Sequence, residues 1–133
     1  PPPSGMPSTR PMPLLDERQQ SIVLLIRAMI AAANADGHID ANEREAIVGR
    51  AREGGLDGDT LAFLDAELAT PQTLQQVVAN AKPELAAELY AASAIAITVD
   101  TDAEKQWLDM LAYGLRLDPQ VRGDIDQRIA APA

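Results

Sequence analysis

The sequence predicts an all-α domain of about seven helices. Apolar residues recur at helical spacing along most of the chain, and capping residues and prolines divide it into segments. No alternating run of β-branched residues is long enough to predict a strand. The length of 133 residues fits one domain with a single core, which we place at residues 14–131.

The first two helices have clear start signals. Asp16 is predicted to cap a first helix that runs to about Ala35. Asp40 and Glu43 form a capping-box arrangement that opens a second helix, which ends near Gly54. Each boundary is therefore predicted from local chemistry alone.

The other five helices start at a capping carboxylate or hydroxyl, or at a proline in the first turn. The predicted starts are Asp57 or Asp59, Thr70 before Pro71, Pro83, Thr101 with Glu104, and Asp118 before Pro119.

Segments 22–33 and 85–99 are apolar nearly all round, which predicts two central helices. One face of each outer helix is predicted to be buried, including Val121, Ile125 and Ile129 of the last helix. We assign Met29, Phe63, Tyr90, Trp107 and Met110 to the core and not to a cofactor site.

Composition excludes several classes of function. Aromatic residues make up only 3% of the chain, so Ala, Leu, Ile and Val must build the core. There is no cysteine, which rules out disulfides, thiolate metal sites and a Cys nucleophile. The net charge of −9 argues against nucleic acid and anionic lipid surfaces as partners.

Residues 1–13 contain six of the ten prolines, a composition that predicts a disordered linker with partial polyproline II character. Since the chain begins within this stretch, we expect a further N-terminal segment to have been removed. Neither apolar segment reaches the roughly 20 residues of a membrane span, and no signal-peptide pattern is present. Direct membrane insertion of this fragment is therefore not expected.

The first acidic loop, residues 34–43, matches much of a calcium-binding EF-hand loop. Asp36, Asp40 and Glu43 are its candidate ligands, with oxygen donors suited to Ca²⁺, Mg²⁺ or Mn²⁺. The first ligand position, however, falls on Ala32 inside an apolar helix. His38 is interpreted as an exposed turn residue.

Helix capping explains the same residues without a metal, since Gly37 can end one helix and Asp40 with Glu43 can start the next. Asp36 fits this alternative less well, because a carboxylate near a helix C-terminus needs a compensating donor or cation. The second acidic loop adds Asp100, Asp102 and Glu104 as candidate ligands, and only convergence of the two loops would make a site.

A weak internal repeat relates the stretch from Ala28 to Leu68 to the stretch from Ala91 to Ile129, which would make Asp36 and Asp100 equivalent. No motif of a known enzyme class is present, there is a single histidine, and the paired carboxylates lack a nucleophile or base partner. The chain is therefore expected not to be an enzyme.

Two blocks of sequence carry a family resemblance. The first block consists of residues 24–33, residues 35–40 and Glu43. The second block consists of residues 87–93, 99–104 and 107–112. Together they resemble the bacterial YebE-type family of unknown function, whose domain is similar to the TerB-like helical fold of tellurite resistance. The resemblance covers about Leu14 to Ile129. The second block lacks the glycine of the first.

The resemblance implies a seven-helix TerB-like bundle with acidic residues suspected of binding a divalent cation. It also implies a membrane-associated N-terminal segment, and hence a cytoplasmic domain displayed from the inner membrane. Two hypotheses follow, a protein-interaction module with an unknown partner and a divalent-cation-responsive domain. A homodimer is a further possibility, since Ala-rich helix faces can pair.

Overall fold

The computed structural model describes residues 15–97 and 101–130, and the regular structure within these ranges is helical. Seven α-helices follow one another in these described ranges: α1 (Glu17–Ala33), α2 (Ala41–Glu53), α3 (Gly58–Glu67), α4 (Leu74–Asn80), α5 (Ala86–Ala96), α6 (Asp102–Gly114) and α7 (Pro119–Ala130). A short 3₁₀ turn, Pro83–Leu85, leads directly into α5. The predicted all-α class is confirmed. The predicted linker at residues 1–13 lies outside the described residues, as does the predicted domain end at residue 131.

Most helix starts follow the predicted capping chemistry. Asp16, Asp40, Asp57 and Thr101 each accept a hydrogen bond from the backbone N–H three residues further on, at the starts of α1, α2, α3 and α6. These side chains satisfy donors that the first helical turn leaves without a partner.

The predicted start of α4 at Thr70 is wrong. The Thr70 N–H donates to the carbonyl of Glu67, so this residue belongs to the turn that ends α3. Thr73 caps α4 instead, because its hydroxyl accepts from the N–H of Gln76 at 3.1 Å while the Gln76 side chain accepts from the N–H of Thr73 at 2.9 Å. This reciprocal capping box outweighs the start signal of Pro71.

Helix α1 is the centre of the bundle and packs against α2, α3, α4, α5 and α6. Nine of its residues are buried, among them Val23, Ile26 and Ile30, which are fully inaccessible. The prediction of a central first helix is confirmed. Small buried residues of α1, such as Ala28 and Ala32, let the surrounding helices approach it closely.

The prediction that α5 is enclosed on every side is wrong at Ile95, whose exposed fraction is 62%. Three further residues assigned to buried faces are also exposed, namely Met110 at 54%, Val121 at 40% and Ile129 at 38%. Of the predicted apolar face of α7, only Ile125 packs against the core. An apolar residue at helical spacing is buried only where a neighbouring helix covers its face.

Two polar clusters join helices that are distant in sequence. Arg27 of α1 lies over the ring of Phe63 and forms a bidentate ion pair with Glu67 of α3, with N–O distances of 2.7 to 2.9 Å. Arg122 of α7 lies over the ring of Tyr90 in α5. Both are cation–π contacts within the usual distance.

The second cluster holds α7 against α5 and α6. The Tyr90 hydroxyl donates to Asp126 at 2.6 Å and accepts from the Arg122 guanidinium at 3.0 Å, and Arg122 also pairs with Asp109 of α6. Burial, followed by the hydrogen bond to Asp126, raises the pKa of Tyr90 to about 12. The phenol is therefore a neutral donor throughout the physiological range.

None of the helices in the described part of the chain is long and apolar enough to span a membrane.

Candidate functional site

The N-terminus of α2 places Glu43 in the interior. Asp40 Oδ1 accepts from the N–H of Glu43 at 2.7 Å, and Glu43 Oε1 accepts from the N–H of Asp40 at 3.0 Å. Both halves of the predicted capping box are therefore present. Glu43 is only 3% exposed, whereas Asp40 remains at the surface. The capping role thus directs the glutamate side chain inward.

The N-terminus of α6 buries a second glutamate in a related way. The Thr101 hydroxyl accepts from the N–H of Glu104 and donates to its carboxyl Oε1, both at 3.1 Å. Glu104 is 1% exposed. The hydroxyl of Thr101 thus contacts both the backbone N–H and the carboxyl group of Glu104.

The two acidic loops converge at these glutamates. Glu43 and Glu104 are joined by a side-chain hydrogen bond, and burial together with this bond raises the pKa of Glu43 to about 7. A hydrogen bond between two carboxyl groups requires a proton, because ionised carboxylates only accept. One of the two carboxyl groups therefore carries a proton whenever they are hydrogen bonded to each other.

Asp36 does not join this pair. Its carboxylate accepts from the N–H of His38 at 3.3 Å and lies 3.5 Å from the imidazole Nδ1. Gly37 between them has a φ of +98°, the left-handed conformation predicted for it. The turn itself thus supplies the donor that a carboxylate beyond the C-terminus of α1 needs. The His38 side chain is 75% exposed, as expected of a turn residue.

Two candidate ligands of the second acidic loop remain, Asp100 and Asp102. Asp102 lies in the exposed first turn of α6, and Asp100 lies outside the described residues. Within residues 15–97 and 101–130, no three acidic or histidine side chains gather in a way that could hold a metal ion. The structure brings together Glu43 and Glu104, while Asp40 caps α2 through its contacts with Glu43.

A second feature is an apolar groove between α4 and α6, which we call the α4/α6 groove. Leu74 and Val78 line it from α4, and Met110 and Tyr113 line it from α6. Tyr113 is 87% exposed and Met110 is 54% exposed. A Cβ added at Gly114 would lie 2.8 Å from Val78, so this glycine is what lets the two helices approach so closely.

Comparison with known proteins identifies the family. Residues 3–129 match the model of a family described as "Protein of unknown function (DUF533)". The chain belongs to this family. A similar relative is an "Uncharacterized protein in ampR 5'region" of Yersinia enterocolitica, 35% identical over 119 residues that cover 86% of this chain and 81% of the relative. No solved structure matches.

Sequence reasoning missed the groove in this family member, although the sequence contains a signal for it. At 3.6 residues per turn, Met110 and Tyr113 fall on the side of α6 opposite Leu108 and Leu111. Two large apolar residues opposite the buried face predict an exposed patch. The meeting of Glu43 and Glu104 had no such signal, because it depends on how α2 and α6 are placed in space.

Proposed function

We propose that this chain is a non-enzymatic helical domain that binds another protein in the α4/α6 groove. One observation carries the proposal: Met110 and Tyr113 are strongly exposed beside Leu74 and Val78. Contiguous exposed apolar side chains of this kind are typical of interaction surfaces. The lack of cysteine and the single histidine, which lies in an exposed turn, support a role other than catalysis.

The chemistry of the groove indicates the kind of partner. A tyrosine supplies a large, rigid contact area, and a methionine adapts its shape to the side chain that it meets. A groove between two helices suits an amphipathic helix with apolar anchors on one face. Because the chain carries a net charge of −9, the partner helix should carry Lys or Arg beside those anchors.

Binding of synthetic helical peptides tests this proposal. Two peptides share Leu anchors at helical spacing, and one has Lys and the other Glu at the flanking positions. Fluorescence anisotropy should show binding of the Lys peptide, weakened at least about tenfold by a Met110→Ser/Tyr113→Ser variant. Ile129→Ser is the matched control, since it removes an exposed apolar side chain from α7.

Equal binding by the wild type and the Met110→Ser/Tyr113→Ser variant would place the contact elsewhere and contradict the proposal. Failure of both peptides to bind at millimolar concentration would contradict it as well. Equal binding of the Lys and Glu peptides would contradict the preference for a partner helix that carries Lys or Arg.

A second candidate function, a response to divalent cations, is favoured by the convergence of Glu43 and Glu104. Two carboxylates that need a proton between them can accept a cation in its place, so metal and proton should compete. We propose Ca²⁺, Mg²⁺ or Mn²⁺ as the cation, since all three prefer oxygen ligands. Suspected cation binding in the YebE-type and TerB-like families, which this sequence resembles, supports the same alternative.

Thermal unfolding at pH 8 separates this candidate from helix capping alone. Millimolar cation should raise the Tm relative to chelator, because a ligand that binds only the folded state stabilises it. Glu43→Gln should abolish the rise, and Glu45→Gln on the exposed side of α2 should preserve it. An unchanged Tm in all three cations would reject the candidate.

The same resemblance supports one further proposal, that the complete protein is displayed from the inner membrane by an N-terminal segment. Fractionation of cells that express the protein from its natural start should then recover this domain with the inner membrane. Recovery in the unbound fraction would contradict it.

A further inference from the structure

Asp109 belongs both to the α4/α6 groove and to the contact that holds α7. It lies on α6 next to Met110, and it is the one charged residue among the described residues that line the groove. Its side chain is 53% exposed, so a ligand in the groove can reach it. Its carboxylate is already engaged, however, because Arg122 of α7 forms an ion pair with it. A helix of the same chain thus neutralises the charge that the groove would offer to a ligand.

The ion pair of Arg122 with Asp109 ties α7 to α6. The other partners of Arg122 are the Tyr90 hydroxyl of α5, at 3.0 Å, and the carboxylate of Asp126 on its own helix, at 3.6 Å. Within the described part of the chain, no cation other than Arg122 forms an ion pair with Asp109. Loss of this pair would therefore leave α7 attached to α5 through Tyr90 and free its side that faces α6.

Helix α7 is held mainly by such polar contacts. None of its residues is buried, and Ile125 is only partly enclosed where it packs against the core. The side chain of Arg122 is 28% exposed, so water can replace the carboxylate of Asp109 when another cation takes it. A helix with few buried apolar contacts is held weakly, and the loss of one polar contact should loosen it.

A partner in the α4/α6 groove competes with α7 for the same carboxylate. The partner helix proposed above carries Lys or Arg beside its apolar anchors, and Asp109 is the charged group that the groove offers to it. Two cations at one carboxylate repel each other, so the guanidinium of Arg122 should weaken the partner's contact. By thermodynamic linkage, the partner weakens the contact of Arg122 to the same extent. Occupancy of the groove and attachment of α7 to α6 therefore oppose each other.

We propose that Arg122 is an internal competitor that controls binding in the α4/α6 groove. A Lys or Arg of the bound helix takes the Asp109 carboxylate from Arg122, and α7 is loosened from α6. The C-terminal helix thus restrains binding in the free protein and responds to binding in the complex. This inference rests on the proposed function, since it requires a basic helix in that groove.

Binding of the Lys peptide to variants of the full chain tests the competition. Arg122→Gln frees the carboxylate, so fluorescence anisotropy should show binding about threefold to fivefold tighter than that of the wild type. Asp109→Asn should weaken binding by a similar factor, because the groove then offers no charge to the lysine. In the double variant Asp109→Asn/Arg122→Gln the gain should vanish, since no carboxylate remains for the two cations to compete for.

Arg128→Gln is the matched control for Arg122→Gln. It makes the same charge change in the last turn of α7, where Arg128 is exposed. This variant should bind the Lys peptide as the wild type does. The control therefore separates the loss of a local competitor from the change in net charge.

Electron paramagnetic resonance tests whether α7 is loosened. The chain has no cysteine, so a nitroxide label attached at Gln127→Cys reports on the exposed side of α7 alone. Saturation with the Lys peptide should increase the mobile component of the spectrum. A peptide with Gln in place of Lys should leave it unchanged at the same occupancy. A label at Glu45→Cys on α2 should not respond to either peptide.

The outcomes separate this inference from the proposed function. If the Lys peptide binds but Arg122→Gln gains no more than Arg128→Gln, the competition is overturned while the groove remains a binding site. An α7 label that the Lys peptide leaves unchanged or makes less mobile would overturn it in the same way. A gain that persists in the double variant would also overturn it, since Asp109 would then not be the shared group. If none of the peptides binds, both proposals are wrong.

Discussion

Two buried pairs of ionisable side chains hold distant parts of this bundle together, and they differ in the sign of their charges. Arg27 and Glu67 join α1 to α3 as cation and anion, with side chains 17% and 4% exposed. Glu43 and Glu104 join the starts of α2 and α6 as two acids, 3% and 1% exposed. Both pairs are buried, but the charges of the first pair attract each other, whereas two ionised carboxylates in the second pair would repel each other.

The comparison shows how a buried charge is tolerated in each case. The carboxylate of Glu67 is neutralised by a guanidinium fixed in the structure, so this pair needs nothing from solvent. The glutamate pair needs a proton from solvent, and its stability must follow pH. The two pairs thus predict different responses to mutation and to pH.

The largest expected effect is the loss of Arg27. Arg27→Met leaves the carboxylate of Glu67 buried without its guanidinium, which should lower the free energy of unfolding by about 3–5 kcal/mol. The double variant Arg27→Met/Glu67→Leu should recover most of this loss, because the unpaired charge is gone as well. Urea unfolding at pH 7 measures both. If Arg27→Met lowered the free energy of unfolding by less than about 1 kcal/mol, the ion pair would behave as a solvent-exposed pair and not as one that neutralises a buried charge.

The second prediction concerns pH. The folded state keeps the Glu43 proton up to a pKa of about 7, whereas the unfolded chain releases it near its ordinary value of 4.5. Between these values the folded state binds more protons, so this contribution to stability is complete below the lower value and is lost as pH rises through the upper one.

Glu43→Gln keeps the oxygen that accepts from Asp40 and adds an amide donor toward Glu104, so it imitates the protonated acid. Its stability relative to wild type should improve by roughly 2–3 kcal/mol between pH 5 and pH 8. Urea unfolding at both pH values measures this difference, and Glu45→Gln should show none. An equal difference at the two pH values would mean that the pair does not share a proton.

The smallest effect is expected where a polar cluster is only partly enclosed. Tyr90→Phe removes the hydrogen bonds to Asp126 and Arg122 but keeps the ring beneath the guanidinium, and Arg122 is 28% exposed. The loss in unfolding free energy should be about 1 kcal/mol, because solvent can replace part of these bonds. Urea unfolding tests this value. A loss in unfolding free energy as large as that of Arg27→Met would contradict this expectation. It would show that the greater exposure of the Tyr90 cluster does not reduce its contribution to stability.

Much of the fold could be predicted from the sequence because helix starts are local. Asp16, Asp40, Asp57 and Thr101 each cap a helix through the N–H three residues on, a contact fixed by sequence spacing alone. The wrong start at Thr70 has a local cause too, since Thr73 with Gln76 was the stronger signal.

The candidate sites were predicted less well, because they depend on packing between helices. Glu43 and Glu104 were correctly chosen as chemically notable residues, but their contact spans 61 positions and no local pattern encodes it. The burial assigned to Met110 and Ile95 was wrong for the same reason. Helical spacing says which residues share a face, and only the tertiary structure says whether another helix covers it.

Helix α7 combines two properties described above: none of its residues is buried, and polar contacts around Tyr90 and Arg122 hold it in place. Few apolar contacts must therefore be broken to release it while the rest of the bundle stays folded. Its backbone amides should exchange with solvent deuterium through such local opening, whereas those of α1 should exchange only when the whole domain unfolds. We therefore expect the bundle to behave as a cooperative core with a C-terminal helix that opens separately.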